Sequence, residues 1–177
     1  IQIQEIYTKL GIGKNGHVDF DRAVRGGLVG GLFAIFVPPH NLIALKNSPI
    51  KKFEFFNDSN EKINQKYASK ITREMFTIVT NMVKAQPNKF KVIKSRNDLK
   101  NMCFSKNSVS ALIHLEGAEA IGSDFRELEE FYNMGLRSIG PVWSRSNIFG
   151  TGVPFQFSKS PDVGPGLTDL GKELILM

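Results

Sequence analysis

Cysteine is almost missing from this sequence. Among 177 residues there is one, Cys103, so no intrachain disulfide can form. That fits a reducing compartment, and a cytoplasmic setting is the expectation. Long hydrophobic runs are missing as well. The longest, Leu28 to Pro39, contains paired glycines and falls short of the roughly 20 residues of a membrane-spanning helix, so no membrane segment is expected. The first residues, Ile1-Gln2-Ile3-Gln4-Glu5, show no basic region followed by an apolar core and a cleavage site, and do not read as a signal peptide. They also lack an initiator methionine, and the expectation is a chain cut out of something longer. The sequence has no glycine-rich loop ending in Lys-Ser/Thr and no Gly-x-Ser-x-Gly, which removes phosphate-loop and nucleophile-elbow chemistry.

What is present is the make-up of a globular protein, with 41% hydrophobic and 23% charged residues. The net charge of +6 raises the question of nucleic acid. The lysines answer it by their distribution. Their densest groups, Lys46 to Lys52 and Lys84 to Lys100, are interrupted by Asn, Pro and apolar residues and carry no DNA- or RNA-binding motif, so a solvated basic surface is expected and no nucleic-acid partner.

Along the chain, Ile3, Ile6, Tyr7 and Leu10 predict a short helix that stops at Gly11 to Gly16. Leu28 to Val37 reads as a strand buried on both faces. From Ser59, an N-cap candidate, apolar residues recur at helical spacing until Pro87. Phe90 to Ile93 is a short strand, Asn97 to Phe104 a short helix, and Val109 to Leu115 a second buried strand. Ser123 opens a helix that ends at Gly135, and Leu136 to Val142 is a third apolar run. The Ser-, Gly- and Pro-rich stretch from Trp143 to Gly166 is long for a connection, and such loops are often functional. Thr168 caps a last helix, 169–177, that is still apolar at Met177. Buried strands alternating with helices give the α/β class with a parallel sheet. A doubly wound sheet and a (β/α)8 barrel both satisfy that order. A barrel of about 250 residues would be incomplete here, with residues 1–177 forming one partial domain.

In both architectures functional groups gather at the carboxyl ends of strands. Glu116 stands there: the strand Ser110 to Leu115 gives way to Glu116-Gly117-Ala118-Glu119-Ala120, a carboxylate entering a turn of small residues. The alternative is an ordinary loop or capping glutamate. His17-Val18-Asp19 has the form of a zinc-holding His-x-Asp pair, but glycines rather than an apolar strand precede it, so a surface turn leading into Asp21-Arg22-Ala23-Val24-Arg25 is the better reading. His40 follows two prolines. His114 shares a strand face with Glu116, and there a packed, hydrogen-bonded histidine is expected.

Three segments taken together resemble the renal or membrane dipeptidase family of zinc metallopeptidases, which are amidohydrolase-like barrels. They are Gly16 to Ala23 running on through Gly26 to Pro38, Ala111 to Ile121 with its Glu116-Gly117-Ala118-Glu119-Ala120-Ile121, and Phe131 to Arg137 with Gly166 to Lys172. The resemblance implies an incomplete (β/α)8 TIM-type barrel holding early parallel strands and their helices, without the first strand and the C-terminal half. It implies two zinc ions bridged by Glu116, and hydrolysis of a dipeptide or small amide by a metal-bound hydroxide. The family's His-x-Asp ligands would fall before Ile1, and its two zinc histidines and substrate-engaging Arg and Asp after Met177. The chain by itself is therefore expected to be inactive and to bind zinc weakly. Where animal members carry a substrate-binding histidine, the matching position is Trp143, which points to a bacterial-type member with Trp143 lining the substrate site. The resemblance admits a homodimer. The competing expectations are a non-catalytic α/β interaction module or degenerate barrel, and another amidohydrolase such as a lactonase or deaminase.

Overall fold

A computed structural model of the chain describes residues 18–39, 62–153, 160 and 162–177. The helix expected over residues 2 to 10, and His17, His40 and Ser59, lie outside the described residues. The elements in chain order are α1 (Phe20–Arg25), β1 (Gly30–Phe36), α2 (Gln65–Ala85), β2 (Phe90–Val92), α3 (Arg96–Cys103), β3 (Val109–Glu116), α4 (Arg126–Met134), β4 (Leu136–Gly140) and α5 (Asp169–Leu176).

The class is α/β, as expected. The sheet has the order β1-β3-β2, and β4 also pairs with β3. β2 runs parallel to β3 with Phe90 opposite Val109 and Val92 opposite Ala111. Chain order does not foretell this arrangement, because β2 follows β1 in sequence yet does not lie between β1 and β3. The close approach of β1 to β3 depends on Gly30, where a Cβ would stand 2.5 Å from the Ser110 carbonyl oxygen and 2.5 Å from Met102 Sδ. β1 also departs from the expectation of burial on both faces: Leu32 is 66% and Phe33 40% exposed. It ends the sheet order and so has a single strand neighbour among the described residues.

Local chemistry sets the helix ends. Asp19 caps α1, Ser95 caps α3 and Thr168 caps α5, each side chain accepting a hydrogen bond from a backbone N–H of the first turn. α2 begins at Gln65, six residues after Ser59. Asn64 does the capping, its Oδ1 accepting from the N–H groups of Lys66 (3.0 Å) and Tyr67 (3.3 Å). α4 begins at Arg126, not Ser123. Phe125 sits at φ 58°, a left-handed conformation that a right-handed helix cannot include. α4 ends at Gly135, as expected, with φ 125° and its N–H shared between the carbonyls of Phe131 and Tyr132.

The chain falls into two compact units. One gathers the described residues up to Ile35 with Arg73–His114 and Phe131–Ser138; the other gathers those of Phe36–Thr72, Leu115–Glu130 and Ile139–Met177. The core of the first includes Met75, Phe76, Ile113 and Phe131, with the rings of Phe76 and Phe131 stacked at 5.7 Å. That of the second includes Ile71, Leu115, Ile121, Phe149 and Leu174.

Candidate functional site

Glu116 is the last residue of β3 and is half-buried, while Leu115 beside it is fully withdrawn. A strand that ends in small residues leaves its last side chain room to face outward, and the turn that follows is held firmly. Gly117 adopts φ 89°, and a Cβ there would collide with the Glu119 carboxylate. The Gly117 N–H donates to the Gly140 carbonyl (3.0 Å) and the Ala118 N–H to that of Pro141 (3.1 Å), so the turn is stitched to the end of β4. Ala118, Ala120 and Ile121 are completely buried beneath it.

Sequence reasoning missed the ion pair next to this turn. Glu119 and Arg145 lie 26 positions apart, and their side chains are 2% and 0% exposed. Arg145 Nε donates to Glu119 Oε1 at 3.2 Å, and Nη2 donates to the Val37 carbonyl, just past β1, at 2.7 Å. The guanidinium lies 5.1 Å from the centre of the Phe36 ring and 5.8 Å from that of Trp143. Phe36 and Trp143 meet edge to face at 4.7 Å. Arg145 Nη1 and Glu119 Oε2 are buried with no hydrogen-bond partner among the described residues. A small hollow of about 90 Å³ is lined by Glu119 with Gln65, Ser146 and Asn147, among others. The only hint in the sequence was a lone arginine between serines in a loop otherwise short of charge.

The described residues of the 143–166 stretch are not free of structure. Gly150 forms antiparallel bridges with Asn147 and with Leu167. Asn147 donates from Nδ2 to the Pro141 carbonyl (2.8 Å) and accepts at Oδ1 from the Phe149 N–H (2.8 Å), and the Val153 N–H returns to the Trp143 carbonyl (3.2 Å). Trp143 is half-buried in this network.

Two further sequence candidates that lie among the described residues, His114 and Asp19, serve as a packing and a capping group. His114 Nδ1 is 2.9 Å from Ser138 Oγ, the hydrogen-bonded histidine that was expected. Asp19 is committed to α1, as the surface-turn reading required. A hollow of about 290 Å³ near it is walled by apolar side chains such as Phe33, Ile78 and Met82, and offers no further acid or base.

A metal centre needs more than these residues supply. No group of three His, Cys, Asp or Glu able to hold a metal occurs among the described residues. Glu116 fits as one carboxylate donor, whereas a zinc ion takes three or four protein ligands. The described residues therefore do not form a closed zinc site. Nor is any helix among them long and apolar enough to cross a membrane.

Comparison with known proteins gives these features a context. A sequence model of the family described as membrane dipeptidase (peptidase family M19) matches residues 2–177. The "uncharacterized protein in PQQ-III 3′ region" of Acinetobacter calcoaceticus is 34% identical over 160 residues, 90% of this chain and 49% of that protein. Among solved structures, a metallopeptidase from Rhodobacter sphaeroides, liganded with a phosphinate mimic of the dipeptide L-Ala-D-Ala, superposes with a TM-score of 0.78 at 34% identity, covering 97% of this chain and 50% of its own. The metallopeptidase called dipeptidase AC does so with a TM-score of 0.77 at 36% identity, covering 96% and 46%. This chain thus spans about half the length of these relatives. The shared fold is the α/β barrel expected from the sequence, here in part.

Proposed function

The chain belongs to the membrane dipeptidase family, peptidase family M19, and from that premise we propose that it is part of a metallodipeptidase. Its reaction is hydrolysis of the peptide bond in dipeptides or related small amides, and Glu116 is one ligand of the metal centre. The observation that carries the reading is Glu116 itself, a half-buried carboxylate at the carboxyl end of β3, followed by a turn that two hydrogen bonds and a left-handed glycine hold in place. The Rhodobacter sphaeroides relative with its dipeptide mimic supports a dipeptide as substrate.

Two zinc ions are the proposed metals, and when bound they supply Lewis acidity and an activated water. The part played by the residues of this chain is to fix geometry. Glu116 presents its carboxylate from a strand end rather than from a mobile loop, so the donor stays in place through the reaction. Trp143, half-buried just beyond β4, offers an aromatic wall to the substrate. Glu116 is the one metal donor proposed among the described residues, and one carboxylate does not make a zinc site; on this reading the 177-residue chain by itself is inactive and binds zinc weakly.

The test is a hydrolysis assay with a panel of dipeptides, using the complete parent protein loaded with zinc, treated with a chelator, and reloaded. Turnover that disappears on chelation and returns with zinc supports the reading. A zinc-loaded protein that cleaves no dipeptide or small amide overturns it. Calorimetry on the 177-residue chain tests the second statement, which tight zinc binding or turnover would contradict.

A further inference from the structure

The Glu119–Arg145 pair has no part in that reading, and its form is unusual for a group that only fills space. Two apolar side chains of similar volume at positions 119 and 145 would fill the space without burying Nη1 and Oε2, which have no hydrogen-bond partner among the described residues, so packing alone does not call for an ion pair there. What the pair does provide is orientation. A guanidinium is planar, and this one is held at two points, by Glu119 Oε1 through Nε and by the Val37 carbonyl through Nη2. Held in that way it cannot turn, and Phe36 and Trp143 are set around it and against each other at 4.7 Å. The three residues of this clamp follow three different strands: Val37 comes just after β1, Glu119 just after β3, and Arg145 itself after β4.

We propose that Arg145 is a positioning residue for substrate selection: clamped by Glu119 and the Val37 carbonyl, its guanidinium fixes the Trp143 indole as a rigid apolar wall for a side chain of the dipeptide. The proposal rests on the reading of Trp143 as substrate-lining. Its effect is on binding, because Arg145 is fully buried and does not itself meet the substrate.

The experiment uses the complete protein with 5-fluorotryptophan incorporated, the Trp143 resonance being the one lost in Trp143→Phe. The principal variant is the pair Glu119→Gln with Arg145→Met, which keeps the volume and leaves no buried charge unpaired. Arg145→Lys is the second variant, in case the first does not fold; it keeps a charge opposite Glu119 but loses the planar two-point hold. In either variant the Trp143 resonance is expected to shift or broaden, KM to rise about tenfold and kcat to stay within about twofold, with metal content unchanged. An unmoved resonance overturns the proposal. So does a resonance that moves while KM stays at the wild-type value, or while kcat falls together with bound metal. A wild-type protein that cleaves no dipeptide defeats the dipeptidase reading instead, and the fluorine signal then decides separately whether Arg145 holds Trp143.

Discussion

Asp19 binds Arg22 twice: its Oδ1 accepts the Arg22 backbone N–H at 2.8 Å and its Oδ2 accepts Arg22 Nε at 2.7 Å. Both carboxylate oxygens are engaged in starting α1. The backbone hydrogen bond from Arg22, above all, holds the carboxyl below the usual carboxylate range. A side chain committed in this way is a cap and not a metal ligand. In the complete protein, Asp19→Asn should leave the zinc content unchanged and lower stability only slightly. Elemental analysis beside thermal melting checks this, and loss of zinc in the variant would restore the His-x-Asp reading.

Asp98 gives a pH dependence with a definite sign. Ser95 Oγ donates to Asp98 Oδ2 at 2.7 Å and the Lys94 N–H donates to it at 3.1 Å, and these bonds, that from Ser95 first, hold its carboxyl below the ordinary value. A carboxyl lowered in the folded state contributes stability that is fully present above its unfolded pKa of about 3.9 and is lost as the pH falls through the folded value. Chemical denaturation from pH 6 downward should therefore show a shallower acid loss in Asp98→Asn than in wild type. Parallel curves would refute the assignment.

The paired glycines that open β1 should behave differently. Gly30 has no room for a Cβ beside the Ser110 carbonyl, while at Gly31 nothing lies within 4 Å. Gly30→Ala should destabilise by about 1–3 kcal/mol through overpacking at the β1–β3 contact. Gly31→Ala should be neutral, or mildly stabilising because the unfolded chain loses freedom. Urea midpoints of the two variants test the contrast, and equal midpoints would count against the close approach.

Much of this was legible in the sequence because it is local. Helical spacing found α2, the Thr168 cap found the start of α5, and Gly135 gave the end of α4. Small residues after an apolar strand singled out Glu116. The resemblance across three segments supplied the family. What the sequence could not show depends on partners distant in the chain or on unusual backbone. Nothing before folding says that β3 lies next to β1. Phe125 in a left-handed conformation moved the start of α4 by three residues against a sound capping signal at Ser123. Ser59 and Asn64 are both good caps by type, and only the structure shows Asn64 bonded to the first turn of α2. Glu119 and Arg145 read separately as loop charges; their pairing appears once the turn after β3 and the segment after β4 are folded beside Val37.

The proposed activity depends on Glu116 as a metal ligand. The most direct measurement is the zinc content of the complete protein and of its Glu116→Gln variant, which keeps the shape and removes the charge, each paired with dipeptide hydrolysis. The predicted result is loss of bound zinc in the variant and a fall in kcat/KM of at least about a hundredfold, with the fold retained by circular dichroism. A Glu116→Gln protein that keeps wild-type zinc and wild-type hydrolysis would contradict the central claim.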